Sequence, residues 1–98
     1  MYSSLFSLFL LFVSMTVSWQ PLQPRGSIEI QRRTLPDGVY TTIGSIDAAA
    51  EAFHDVTPLT GYTYCYRARF FTADRFNTFS EEVCPHESYV HLSVPSTN

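Results

Sequence analysis

The sequence has few of the residues that mark catalytic, metal-binding or nucleic-acid-binding proteins. Lysine is absent, so all six basic residues are arginines, and charged residues make up only 15% of the 98 positions. The net charge of −3 at pH 7 and the lack of a basic stripe give no electrostatic basis for binding nucleic acid. The low charge fraction also argues against a disordered acidic or basic segment, because such segments depend on a high net charge.

Only two cysteines occur, Cys65 and Cys84. Two are too few for a disulfide-rich scaffold or for a zinc site made of cysteine alone, and their spacing excludes a Cys-x-x-Cys redox motif. One use for them is a single disulfide in an oxidising compartment. The alternative is a pair of unreactive thiols in a cytosolic protein.

Motifs that carry catalysis or cofactor binding are also missing. The chain has no Gly-rich phosphate loop and no Gly-x-Ser-x-Gly turn. Glu81 and Glu82 are adjacent in a predicted strand, so they point to opposite faces and cannot act as a carboxylate pair. The three histidines, His54, His86 and His91, lack the spacing of a zinc site. We therefore expect no enzymatic activity, no metal site and no cofactor.

What the sequence does contain is alternation of apolar and polar residues, most clearly in 61–71 and 79–84. This period of two is typical of half-buried strands. In one antiparallel register four pairs coincide: Cys65 with Cys84, Tyr66 with Val83, Arg67 with Glu82 and Phe70 with Phe79. The two segments are therefore predicted to form a hairpin, in which Glu81 points inward unless a bulge lies beside it.

Further strands are predicted on the N-terminal side of this hairpin, separated by proline and glycine turns. They are Met15–Trp19, Ser27–Thr34, Val39–Ile46 and Ala52–Val56. About six short strands between turn signals indicate an antiparallel β-sandwich. The alternation assigns these residues to the core: Trp19, Ile28, Ile30, Tyr64 and Tyr66, with Phe53, Phe70 and Phe79 beside them. Glu29, Gln31, Arg33, Arg67, Arg69 and Glu82 are assigned to a solvated outer face with weak ion pairs.

The N-terminal region has two competing interpretations. No charged residue precedes Arg25, and Leu5–Val13 is almost wholly apolar. That run is too short to span a bilayer, which needs about 20 residues, and it suits the hydrophobic region of a signal peptide. Cleavage after Ser18, however, would remove most of the predicted Met15–Trp19 strand. Residues 1–14 are therefore treated as an apolar leader that is either signal-like or a replacement first strand.

The order of features from Met15 to Cys84 resembles a fibronectin type III domain. Met15–Trp19 resembles the second strand of that family, 28–33 its third strand and 53–55 its fifth. Leu59–Tyr64 resembles the corner at which a tyrosine hydroxyl, here that of Tyr64, bonds back to the preceding loop. The two cysteine-containing strands resemble a version common in secreted bacterial proteins, which implies that the cysteines form a bridge. The first strand of the family is missing or replaced.

The resemblance implies an all-β fold, an immunoglobulin-like antiparallel β-sandwich of the fibronectin type III kind. The domain is predicted to span residues 15–84, followed over 85–98 by a strand extension or a frayed tail. It also implies a non-catalytic module of a secreted or surface protein, which acts as a spacer or contacts a protein or glycan. Such a module is a monomer or part of a longer chain, and meets a membrane only through an uncleaved leader.

A second hypothesis is a small secreted effector or inhibitor that binds a partner through the loop from Phe71 to Phe79. Loop ends of sandwich domains often carry recognition. The candidate contact residues are Phe71, Asp74, Arg75 and Phe76, because an exposed aromatic ring beside an arginine is a typical binding hot spot. The alternative is that these rings cap the end of the core.

Overall fold

The computed structural model describes residues 13–22 and 25–96, and within these ranges the chain forms six strands. Their bounds are β1 Met15–Trp19, β2 Ser27–Thr34, β3 Thr41–Asp47, β4 Ala52–Asp55, β5 Tyr64–Phe71 and β6 Tyr89–Leu92. Between β3 and β4, Ala48–Ala50 makes a 3₁₀ turn, capped where the Asp47 carboxylate accepts from Ala49 N at 2.9 Å. The described ranges contain no helix that is long and apolar enough to cross a membrane.

The strands form two three-stranded sheets. In the first, β1 lies between β4, to which it is antiparallel, and β6, to which it is parallel. In the second, β2 lies between β3 and β5 and is antiparallel to both. Residues of both sheets share one apolar core, so the prediction of an all-β, sandwich-like fold is confirmed.

Strand alternation determines which residues fill this core. Five of the residues assigned to it from the sequence are at most 8% exposed: Trp19, Ile28, Ile30, Tyr64 and Tyr66. Burying one such aliphatic side chain contributes roughly 2 kcal/mol relative to leaving it exposed. The Trp19 indole N–H donates to the carbonyl of Ala48 at 3.0 Å, so this large side chain is buried without an unpaired donor.

The turn before β5 has the tyrosine bond that the family resemblance implies. The hydroxyl oxygen of Tyr64 accepts a hydrogen bond from the backbone N–H of Leu59 at 3.0 Å. Gly61 lies between them with φ 94°, a left-handed conformation that glycine adopts without a steric cost. The bond therefore holds the loop against the start of β5.

The hairpin has the predicted pairing at its base. Cys65 and Cys84 form a disulfide with an S–S distance of 2.03 Å, which confirms the bridge. Tyr66 and Val83 pair through two backbone bonds, at 2.9 and 3.1 Å. The second arm is nevertheless not a regular strand, because within it only Phe76 and Val83 make β-bridges to β5.

Beyond Val83 the pairing slips by one residue. Ser80 N donates to the carbonyl of Ala68 at 2.7 Å, and the Ser80 hydroxyl accepts from Ala68 N at 3.0 Å. Ser80 is buried and Glu81 is exposed, so the predicted bulge beside Glu81 is present. This extra residue places Ser80 on the inner face and Phe79 on the outer face. A second one-residue shift follows between Ser80 and Asn77, because Asn77 N donates to the carbonyl of Phe70.

Two predicted pairs of the hairpin are therefore wrong. The carbonyl of Phe70 accepts from Asn77 N at 2.9 Å, and Phe79 lies on the outer face of the sheet, not in the core. Glu82 forms its ion pair with Arg33 in place of Arg67. The error at Phe79 follows from the extra residue, since the prediction assumed an uninterrupted register. Glu82 lies next to Val83, which keeps the predicted pairing, so its change of partner has a different origin.

The C-terminal segment crosses to the other sheet. Of the two alternatives for residues 85–98, a strand is observed over Tyr89–Leu92, while residues 97 and 98 lie outside the described ranges. This strand, β6, runs parallel to β1, so the sandwich, predicted to be antiparallel, contains one parallel pair of strands. The predicted leader of residues 1–14 falls outside the described residues up to residue 12.

Candidate functional site

The outer face of the β3–β2–β5 sheet carries the richest set of polar and aromatic contacts. Alternation places Glu29, Gln31 and Arg33 of β2 on this face, because Ile28 and Ile30 point into the core. In the register of β2 and β5, Arg67 lies opposite Gln31, and Arg69 lies opposite Glu29. The predicted solvated face is thus assembled from neighbouring strands.

Arginine and aromatic side chains alternate along this face, and we call them the ladder. Its members in spatial order are Arg33, Tyr40, Arg67, Phe79, Arg69, Phe76 and Phe71. Successive guanidinium-to-ring distances are 5.6, 4.0, 4.0, 4.5 and 4.1 Å, and the last two rings stack with centroids 5.0 Å apart. At these distances each cation–π contact contributes about 0.5–1 kcal/mol at an exposed site.

Two carboxylates neutralise two of the three ladder arginines. Arg33 binds Glu82 through two parallel bonds of 2.9 Å, and Arg69 Nε donates to Glu29 at 2.7 Å. Arg67 Nε instead donates to the neutral Gln31 Oε1 at 2.9 Å. Arg67 therefore has no ion pair with any residue in the described ranges.

The ion pairs change the pKa values of the groups they join. The bond from Arg33 lowers the pKa of Glu82, and Tyr40 adds to the effect. Burial raises the pKa of Tyr40, and the nearby Glu82 carboxylate raises it further. Burial opposes ionisation of Glu29, but bonds from Thr42 and Arg69 outweigh it and lower its pKa. These groups therefore remain in their ordinary charge states at neutral pH.

The hairpin tip is continuous with the ladder and contains the contact residues predicted from the sequence. Phe71 and Phe76 stack on one another, and Phe76 remains 54% exposed. Thr72 N donates to the carbonyl of Arg75 at 2.9 Å, and Asp74 N donates to the Thr72 hydroxyl at 3.3 Å. Asp74 and Arg75 are both exposed. The structure thus brings all four predicted residues to one end of the sandwich.

A second polar cluster, not foreseen from the sequence, joins the two sheets. The carboxylate of Asp55, only 3% exposed, accepts from Arg32 Nη1 and from the Tyr66 hydroxyl, both at 2.8 Å. It also accepts from the hydroxyl of Thr57 at 2.7 Å and from its backbone N–H at 3.2 Å. The signal was present in β2, where Arg32 continues the inward positions of Ile28 and Ile30.

The histidines do not converge. His54 Nδ1 lies 3.3 Å from the Thr16 hydroxyl, and His91 Nδ1 lies 3.0 Å from the Ser18 hydroxyl, each exposed on the β4–β1–β6 sheet. In the described part of the chain the potential metal ligands that cluster are Cys65, Glu82 and Cys84. Both sulfur atoms of that cluster are joined in the disulfide, so neither is available as a thiolate.

Comparison of the chain with protein-family models, with curated proteins and with solved structures finds no match in any of the three.

Proposed function

We propose that this chain is a non-catalytic β-sandwich module of the fibronectin type III kind in an exported or surface protein. Three observations support the class: two packed sheets, the bond from Leu59 N to the Tyr64 hydroxyl, and the Cys65–Cys84 disulfide. Disulfides persist in oxidising compartments, which favours export. β6 covers the edge of β1 on the side away from β4, in keeping with a missing or replaced first strand.

The module is proposed to contact a protein or glycan through its hairpin tip. The observation that carries this proposal is the side chain of Phe76, which is large, apolar and 54% exposed. Two neighbouring side chains nevertheless hold its ring in place. Phe71 stacks on it, and Arg69 lies 4.1 Å from its centroid. A ring that is already ordered loses little conformational entropy on binding, which favours a hot spot over a flexible surface residue.

A small secreted effector or inhibitor is the second candidate function. It would use the same loop, from Phe71 to Phe79, and the exposed Arg75 beside Phe76 favours it. A spacer, by contrast, would need no ordered aromatic residue at its tip. Removal of the Phe76 ring should therefore weaken partner binding if the module makes a contact, and should have no effect if it is a spacer.

Site-specific photocrosslinking in the producing cells tests the contact. A photoreactive phenylalanine analogue replaces Phe76 in one variant and Val39, which is 78% exposed in the β2–β3 connection, in the control. We expect a discrete adduct from position 76 and none from position 39. An excess of unlabelled protein should abolish the adduct, whereas the Arg75→Ala/Phe76→Ala double variant should not compete. Equal labelling at both positions would leave only the spacer role.

Mass spectrometry of the exported, non-reduced protein tests the compartment and the leader together. A mature start at or before Ser14 with a Cys65–Cys84 bridge supports an exported sandwich that retains β1. A start at Trp19 with free thiols contradicts both the export-linked disulfide and the intact first sheet.

A further inference from the structure

Arg67 differs from the other two arginines of the ladder because it contacts two aromatic rings and forms no ion pair with a described carboxylate. Its guanidinium lies 4.0 Å from the centroids of both Tyr40 and Phe79, and its Nε is bound to Gln31. Neither of its Nη atoms makes a hydrogen bond to any residue that the structure describes. The residue is partly buried, so water has restricted access to its guanidinium group.

We propose that the Nη atoms of Arg67 form a receptor for one carboxylate, presented by an acidic side chain of a protein partner. A guanidinium fork matches a carboxylate in a bidentate geometry, and an ordered fork loses less entropy on binding than a flexible one. Here the order is provided by two rings and by the bond to Gln31. The site lies on the ladder and is independent of the tip contact, because Phe76 touches Arg69 and not Arg67.

The charge around the site favours a single carboxylate over a polyanion. The ladder and its ion-pair partners contain Arg33, Arg67 and Arg69 against Glu29 and Glu82, which leaves one uncompensated positive charge. The whole chain carries a net charge of −3, so a highly sulfated or phosphorylated polymer would be repelled by the rest of the surface. A single carboxylate matches the one uncompensated positive charge and is repelled less by the rest of the surface than a polyanion would be. Apolar groups beside that carboxylate could pack on the rings.

The neighbouring arginines do not offer the same site. Arg33 is occupied by Glu82 through two bonds, and Arg69 is paired with Glu29. Arg75 is exposed, and neither an ion pair nor a cation–π contact joins it to a described residue. Arg75 is therefore a suitable internal control, because it has the same charge without the two rings.

Nuclear magnetic resonance of the arginine side chains tests the proposal on the full, disulfide-bonded chain. Sodium acetate replaces sodium chloride at constant ionic strength while the Nε–Hε signals of Arg67 and Arg75 are followed. We expect the Arg67 signal to shift along a saturable curve and the Arg75 signal to change only linearly. Indistinguishable responses of the two arginines overturn the proposal.

Two variants separate binding from folding. Gln31→Glu keeps Arg67 and its rings but supplies a carboxylate from within the chain, so the acetate response of the Arg67 signal should weaken at least tenfold. Arg67→Lys keeps the charge and removes the fork, and the side-chain amide of Gln31 should then show no saturable shift. If Gln31→Glu, with its melting curve still cooperative, binds acetate as the unmodified chain does, the proposal is wrong.

The source of the carboxylate is tested with two further probes. N-acetylglutamate α-amide represents a protein side chain, and glucuronate represents a glycan. We expect the glutamate derivative to saturate the Arg67 response at a concentration no higher than glucuronate needs. Tighter binding of glucuronate by tenfold or more would overturn the assignment to a protein partner.

Discussion

The hydroxyl of Tyr66 donates to Oδ2 of Asp55 at 2.8 Å, and this bond links the two sheets of the sandwich. Tyr66 belongs to β5 and Asp55 to β4, so neither sheet alone contains the pair. Arg32 of β2 binds the same oxygen at 2.8 Å. Its guanidinium also lies 4.7 Å from the centroid of Tyr64. The cluster leaves the Asp55 carboxylate fully paired, which a buried charge requires.

Replacing Asp55 by asparagine should be strongly destabilising. The substitution leaves Arg32 without its counter-ion at a site where its side chain is only 18% exposed. Removing one partner of a buried ion pair costs about 3 kcal/mol or more in unfolding free energy. Denaturant unfolding measures the change. Asp37→Asn, at an exposed turn position, is the matched control and should change stability by less than ~0.5 kcal/mol. Equal effects of the two substitutions would contradict the role given to the cluster.

The same carboxylate makes stability depend on pH in the acid range. Burial opposes ionisation of Asp55, but bonds from Thr57, Arg32 and Tyr66 outweigh it, so its folded-state pKa lies below the ordinary 3.8. A lowered folded-state pKa gives stability that is complete above the unfolded-state pKa and is lost as pH falls through the folded-state value. Unfolding free energy should therefore fall below about pH 4. The Asp55→Asn variant should show a shallower fall; a parallel one would contradict the assignment.

The disulfide should contribute a large part of the stability of this small domain. It closes a loop with a sequence separation of 19 residues, for which the chain-entropy model gives about 3 kcal/mol. The Cys65→Ser/Cys84→Ser double variant should unfold at a correspondingly lower denaturant concentration. Reduction of the unmodified chain should reproduce the effect, and it should leave the melting curve of the double variant unchanged. No loss of stability on reduction would contradict the prediction.

Ser80 should contribute more to the stability of the fold than its position in an irregular arm suggests. Its hydroxyl accepts the buried backbone N–H of Ala68 at 3.0 Å, so Ser80→Ala leaves that donor without a partner. An unpaired buried donor costs about 1–3 kcal/mol. Ser45→Ala, at an exposed position of β3, is the control and should be near neutral in the same thermal unfolding measurement. An equally neutral Ser80→Ala would show that another acceptor takes over.

The first sheet should not form without β1. This strand lies between β4 and β6, so a chain that begins at Gln20 loses both strand pairings of that sheet and the buried Val17 and Trp19. We expect such a chain to show no cooperative unfolding transition, whereas one that begins at Val13 should melt cooperatively. Calorimetry distinguishes them, and equal transition temperatures would show that β1 is dispensable.

Much of the fold follows from local alternation. The period of two in β1, β2 and β5 identifies the inward residues correctly, including Trp19, Ile30 and Tyr66, because the pleat sends successive side chains to opposite faces of any strand. The hairpin pairing is correct only at its base. Past Val83 the extra residue at the bulge inverts the faces, so Phe79 joins the ladder and Ser80 becomes buried.

For the same reason, the candidate site could be predicted from the sequence only in part. Local sequence places Phe71 and Phe76 near one loop, and the stack between them agrees with that placement. The ladder, however, needs Tyr40 from a distant connection and Phe79 from the slipped arm. Nothing in the spacing of these residues indicates that both reach Arg67.

By itself, the sequence determined the segments of β1 to β5, the inward faces of β1, β2 and β5 and the pairing of Cys65 with Cys84. Only the tertiary structure decided that Glu82 pairs with Arg33, that Asp55 binds Arg32 and Tyr66, and that β6 lies parallel to β1. The physical reason is that alternation records the orientation of side chains within one segment. Pairing between segments depends on backbone hydrogen bonds to another strand, and there one inserted residue changes the outcome.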